Sequence, residues 1–147
     1  MNIYTIGFAQ KSAKEFFELL EKNSIDCLID IRLNNISQLA GFTKGKDLEY
    51  FLNKILAIKY IHDINYAPTK EILDAYKKKT ISWIEYEKQY MQLIEKRNVE
   101  VLFKKTINNN FNNICLLCSE PEARYCHRRL LGDYLKHHVA NIRIKHI

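Results

Sequence analysis

The 147-residue chain reads as an α/β fold, a small three-layer domain whose mainly parallel sheet is flanked by helices. Two observations carry this reading. Short β-rich runs alternate with segments in which apolar residues recur at helical spacing. The run over residues 25–32, Ile-Asp-Cys-Leu-Ile-Asp-Ile-Arg, is apolar on both faces at its centre, as is usual where helices cover both sides of a parallel sheet. A single domain over residues 1–147 suits this length, and four glycines with two prolines leave little for a flexible linker.

In chain order, Ile3-Tyr-Thr-Ile6, stopped by Gly7, is the first strand. Ser12 and Glu15 have capping-box spacing, in which hydroxyl and carboxylate each answer an orphan amide. Phe16, Phe17, Leu19 and Leu20 continue as a helical stripe toward Asn23. Residues 25–32 form the second strand. The polar connection over 33–46, with Ser37, Gly41 and Gly45, is long enough to be a binding loop. Leu48, Phe51, Leu52 and Ile55 mark the next helix, and residues 58–62 the third strand. Pro68 opens a short helix holding Ile72, Leu73 and Tyr76. Ser82 and Glu85 repeat the capping-box spacing before a helix carrying Ile84, Met91, Leu93 and Ile94. Residues 99–107 are read as helix in preference to strand, although Val99-Glu-Val-Leu-Phe103 partly alternates. The asparagine-rich run 108–113 is a turn, and Ile114-Cys-Leu-Leu-Cys118 a buried strand. Leu130, Leu131, Tyr134 and Leu135 form the buried stripe of a helix that begins near His127. Residues 139–146 alternate as a half-exposed edge strand.

Lys and Arg number 23 against 17 Asp and Glu, and the excess of +6 favours anionic partners. Lys77-Lys78-Lys79 is the densest basic run and Lys104-Lys105 a smaller one; runs this short are more often solvated than bound to nucleic acid. No apolar run approaches the ~20 residues that span a bilayer. No basic-then-apolar leader opens the chain. A cytoplasmic protein with free thiols and no membrane partner is the expectation. Cys27, alone in an apolar run, reads as a small buried hydrophobe.

The chemistry concentrates between Cys115 and Arg129, where three of the four cysteines lie. Cys126 stands at the predicted start of a helix beside His127, Arg128 and Arg129, and free amides and cations favour thiolate there. Reactive thiol, structural packing and metal ligation are all open to it. Cys115 and Cys118 are three apart on a strand, so they point to opposite faces. Cys118, Cys126 and His127 converge only if the intervening loop folds back, and adjacent Cys-His leaves little freedom for both to point inward. Asp30 and Arg32 share one face at the carboxyl end of the second strand, where ligands of open parallel sheets bind. Arg32 and Arg128 are candidate anion ligands, because a guanidinium clamps phosphate or carboxylate through paired hydrogen bonds. Asp30, Glu120 and His127 are acid–base candidates, or else serve to orient those arginines. Tyr60 and His62 lead toward the same edge, and Tyr66, Tyr86 and Tyr90 are aromatic candidates for a cleft wall or for packing. No dinucleotide fingerprint or Walker loop is present.

Several short segments then fall into a family pattern. Thr5-Ile6-Gly7-Phe8-Ala9, Ile29-Asp30-Ile31-Arg32, Ala57-Ile58-Lys59-Tyr60, Leu117-Cys118-Ser119-Glu120, Cys126-His127-Arg128 and Ile144-Lys145-His146-Ile147 occur in an order that resembles the DUF488 family, whose molecular function is largely undefined. The resemblance departs at Gln38, where an arginine is common, and around Asn65-Tyr66-Ala67, where a Leu-Gly-Gly is usual. It implies an α/β domain whose signature groups Glu120 with Cys126, His127 and Arg128. Leu28 to Arg32 also looks like a strand of rhodanese domains, a weaker likeness, since Cys126 lies eight residues past Cys118 and not at the head of a tight loop after the strand.

Three functional readings follow. The first is an enzyme or binding protein for an anionic, phosphate-bearing ligand. Its catalytic candidates are Cys126, His127, Glu120 and Asp30, and its ligand contacts Arg32, Arg128, Ser37, Tyr60 and His62. The second is a nucleic-acid-binding module, and the third a zinc-stabilised structural protein. The first reading assigns no metal ligand and names no cofactor.

Overall fold

The computed structural model of the protein describes residues 1–37, 40–107 and 110–147. Gln38 and the first two asparagines of the 108–113 turn lie outside them. Five strands, β1 (Asn2–Gly7), β2 (Cys27–Asp30), β3 (Lys59–His62), β4 (Asn113–Cys118) and β5 (Arg143–His146), form one sheet in the order β3-β2-β4-β1-β5. Every pairing is parallel. All the carboxyl ends therefore share one edge, where Gly7 is level with Cys118, and Asp30 with Leu117 and His62.

Helices cover both faces, and strand alternation decides what each face buries. Ile3, Cys27, Ile29, Ile31, Ile114, Leu116 and Cys118 pack on one side, against α4 (Trp83–Lys96), α5 (Val99–Ile107) and α6 (His127–His138). Ile6, Leu28, Cys115 and Leu117 face the other side, against α1 (Ala13–Lys22) and α2 (Gly45–Leu56). Cys115 and Cys118 are thus on opposite faces, as period two requires. Cys27 is fully buried, which pushes its thiol up to about 12. No cysteine is in a disulfide.

The sequence-read elements all form, with shifts that have local causes. The Ser12–Glu15 capping box is complete: Glu15 donates its amide to the Ser12 hydroxyl, and Ser12 donates its own to the Glu15 carboxylate at 2.7 Å. Ser82 accepts the Glu85 amide, and residues 99–107 are helical. The helix expected at Pro68 begins two residues later, as α3 (Lys70–Lys77), because the Thr69 hydroxyl supplies the cap. On α4 the buried stripe is Tyr86, Tyr90 and Ile94, while Ile84 is 80% exposed. On α2, Ile55 is exposed and Leu48 and Leu52 carry the contact. The last strand is shorter than its alternation suggested, because Val139 caps α6 and the chain turns through Asn141, at φ 61°, before β5 begins. Among the described residues no helix is long and apolar enough to cross a membrane.

One backbone approach at the carboxyl edge demands a residue without a side chain. A Cβ on Gly7 would fall inside the carbonyl group of Glu120 and against the Arg128 guanidinium. Backbone, not a yielding side chain, is in the way. Gly7→Ala should therefore cost about 3 kcal/mol or more in urea unfolding, whereas Gly41→Ala, in open space, should change the midpoint little.

Candidate functional site

The loop between β4 and α6 folds back over the sheet edge. Arg128 holds it there, since its buried guanidinium donates to two successive carbonyls, Glu120 through Nη1 and Pro121 through Nη2. The return places Cys126 as the N-cap of α6 in extended conformation, with φ −136° and ψ 140°, and His127 as the first helical residue. This change of backbone direction lets adjacent side chains converge. Cys118 Sγ, Cys126 Sγ and a His127 ring nitrogen all lie within 4.8 Å of one another. All three residues are buried.

The surroundings of the cluster are polar and specific. Cys118 Sγ lies 3.7 Å from His127 Nδ1 and 3.9 Å from Nε2. His127 Nε2 is 3.1 Å from the Ile31 carbonyl, which can only accept, so this nitrogen carries a proton and Nδ1 is left for the sulfurs. Backbone amides also point at the sulfurs, that of Glu120 at Cys118 and that of Arg128 at Cys126. The hydrogen bond between the two thiols holds Cys118 well below the ordinary thiol range and pushes Cys126 well above it, because one proton serves both. Burial works against a charged His127, but the charge and hydrogen bond of Cys118, with the Ile31 carbonyl, raise its pKa overall. Of the two sulfurs, that of Cys118, at the end of β4, is the one within hydrogen-bond distance of the His127 ring. The sequence reading weighed Cys118 only as a metal ligand; its place at a strand's carboxyl end, in Leu-Cys-x-Glu, was the available signal.

A cleft of about 450 Å³ opens over the cluster. Cys118, Cys126 and His127 line it, with Arg32, Glu120, Lys77, Lys79 and the rings of Tyr76, Tyr86 and Tyr125. Aromatic contacts run from the floor to the wall. His127 meets Tyr90 at 5.5 Å, Tyr90 stacks on Tyr86 at 6.3 Å, and Tyr86 stacks on Trp83 at 5.1 Å. Trp83 in turn meets Tyr125 edge-on. Tyr66 and Tyr90 are buried behind this wall, joined by a 2.7 Å bond from the Tyr90 hydroxyl to the Tyr66 carbonyl.

Other expected site residues form a second cluster at the same edge. Asp30 and Arg32 make a buried bidentate ion pair, Nε to Oδ1 at 2.8 Å and Nη2 to Oδ2 at 2.6 Å. Arg32 also donates to the Thr43 carbonyl at 2.7 Å and lies 5.1 Å over the Phe8 ring. The Tyr60 hydroxyl donates to Asp30 at 2.7 Å and accepts from Asn35; burial, then the Asp30 charge and hydrogen bond, raise its pKa. His62 bonds the Arg32 carbonyl at 2.9 Å. Asp30, Tyr60, His62, Ser37 and Arg128 do not line the cleft, whereas Arg32 does.

Removing one partner of the buried pair leaves a charge stranded. Arg32→Met should cost about 3–5 kcal/mol in chemical denaturation. Asp30→Leu combined with Arg32→Met should cost clearly less than the two single losses summed, as a double-mutant cycle would show.

Comparison with curated proteins and with solved structures finds no match. The model of the family described as Domain of unknown function DUF488 matches residues 12–135, which takes in Asp30, Arg32, Cys118 and the Cys126-His127-Arg128 signature. On that match the chain belongs to the DUF488 family.

Proposed function

We propose that the protein binds an anionic ligand with a planar, phosphate-bearing part in the cleft over Cys118, Cys126 and His127, and acts on it through these groups. One observation carries the reading: two thiols and an imidazole form the floor of a cleft that has an aromatic wall and a lysine rim. Buried thiols in a core do nothing; thiols that line an accessible cleft can meet a substrate. Lys77 and Lys79 are exposed at the rim and join no ion pair among the described residues. They suit the anion better than Arg128, which is committed to the loop carbonyls. Arg32 keeps donor capacity at Nη1, whose partner among the described residues is the Thr43 hydroxyl at 3.4 Å. Tyr76, Tyr86 and Tyr125 offer faces and edges to a flat ring. Glu120 is the carboxylate available for proton transfer in the cleft, while Asp30 acts through Arg32 as a positioning residue.

Trp83, the single tryptophan, contacts Tyr86 and Tyr125 and reports on the wall. Adenosine monophosphate should quench its fluorescence saturably, and adenosine should bind more weakly. Lys77→Ala with Lys79→Ala should weaken the nucleotide about tenfold, the scale of one lost charged hydrogen bond. No saturable quenching by nucleotide or pyrophosphate, or equal affinity in the double variant, contradicts the reading. Stronger binding to oligonucleotides with a steep salt slope would favour a nucleic-acid partner instead.

A further inference from the structure

The geometry points to a zinc ion held by Cys118, Cys126 and His127, with its fourth coordination position open to the cleft. The inference rests on the cleft reading above and names the group that would meet the ligand there. Its first support is donor spacing. A tetrahedral zinc with Zn–S about 2.3 Å and Zn–N about 2.0 Å sets its donors about 3.5–3.8 Å apart. Cys118 Sγ and His127 Nδ1 are 3.7 Å apart, and the three donor atoms together lie within 4.8 Å.

The second support is independent of spacing. The Ile31 carbonyl occupies Nε2, so the ring's remaining lone pair is Nδ1. A metal-bound histidine characteristically donates its other ring N–H to a carbonyl or carboxylate, which fixes both tautomer and ring angle.

Two thiolates and an imidazole select a borderline-soft ion and disfavour magnesium or calcium. Structural zinc sites close with four protein donors. Among the described residues the cluster has three. Cys115 faces the opposite layer, and Cys27 sits at the amino end of β2. The three ligands line the cleft floor, so the fourth position faces the space assigned to the ligand. An oxygen of a bound anion would complete the tetrahedron, placed between the metal below and Lys77 and Lys79 at the rim.

Protein purified reduced and without chelator should carry about one equivalent of zinc per chain. Cys126→Ser should lose it, and Cys115→Ser should keep it. Since a variant can misfold, the deciding measurement uses the wild-type chain. After the zinc is removed, cobalt(II) should give thiolate charge-transfer absorption and tetrahedral visible bands, and azide or inorganic phosphate should shift those bands. Absence of charge transfer overturns the site. Cobalt bands that azide and phosphate leave unmoved overturn the open position and make the metal structural. Saturable Trp83 quenching by adenosine monophosphate in the metal-free chain separates the two claims: with no cobalt site, it leaves the cleft reading standing and removes only the metal.

Discussion

The tie between Arg128 and the carbonyls of Glu120 and Pro121 is the constraint on which the site depends. Seven residues separate Cys118 from Cys126, and nothing in a strand–loop–helix connection obliges them to meet. The guanidinium bonds two consecutive peptide units and pulls the loop back across the sheet edge. The manoeuvre needs room, and Gly7 supplies it by carrying no Cβ where the Glu120 carbonyl passes. A residue that looks like an anion ligand from the sequence is thus spent on shaping the loop. Both terminal nitrogens of this buried cation are taken by carbonyls, while its buried Nε has no partner among the described residues.

The parallel sheet then sorts the polar residues. Side chains that alternate along β2 go to opposite faces, so Asp30 joins Arg32 and Tyr60 on the side of α1 and α2, while Ile31 offers its carbonyl to His127 on the side of α6. The two clusters sit back to back across one strand end. The Asp30–Arg32 pair is buried and Tyr60, half-buried, hydrogen-bonds to it. The cysteine and histidine cluster opens onto the cleft. The first is suited to holding the loop that follows β2, through Thr43 and Asn35.

The regular parts of this arrangement were legible because they depend on periodicity. The opposed faces of Cys115 and Cys118, the Ser12 cap and the helical stripe of residues 130–135 each follow from spacing alone. The α4 stripe was less legible, because Ile84 and the neighbouring aromatics are all apolar and only the fold selects Tyr86, Tyr90 and Ile94 for burial. The site was legible as a list of residues but not as a partition. Which guanidinium is consumed, and by what, depends on β2–β3 pairing and on a loop's return path, neither of which leaves a periodic trace. The doubt about adjacent Cys126 and His127 is resolved by one backbone feature, the extended N-cap before a helical residue. Family membership adds that the chain shares a common pattern; it does not by itself say what the pattern does.

The central claim is that Cys118, Cys126 and His127 act as one three-donor centre facing the cleft. Cadmium-113 resonance of the cadmium-loaded protein tests it most directly, because scalar couplings name the ligands. The account predicts a single bound-cadmium signal coupled to the β-protons of Cys118 and Cys126 and to the His127 ring. A bound signal coupled to Cys115 or Cys27, or no protein-bound cadmium at all, would contradict it.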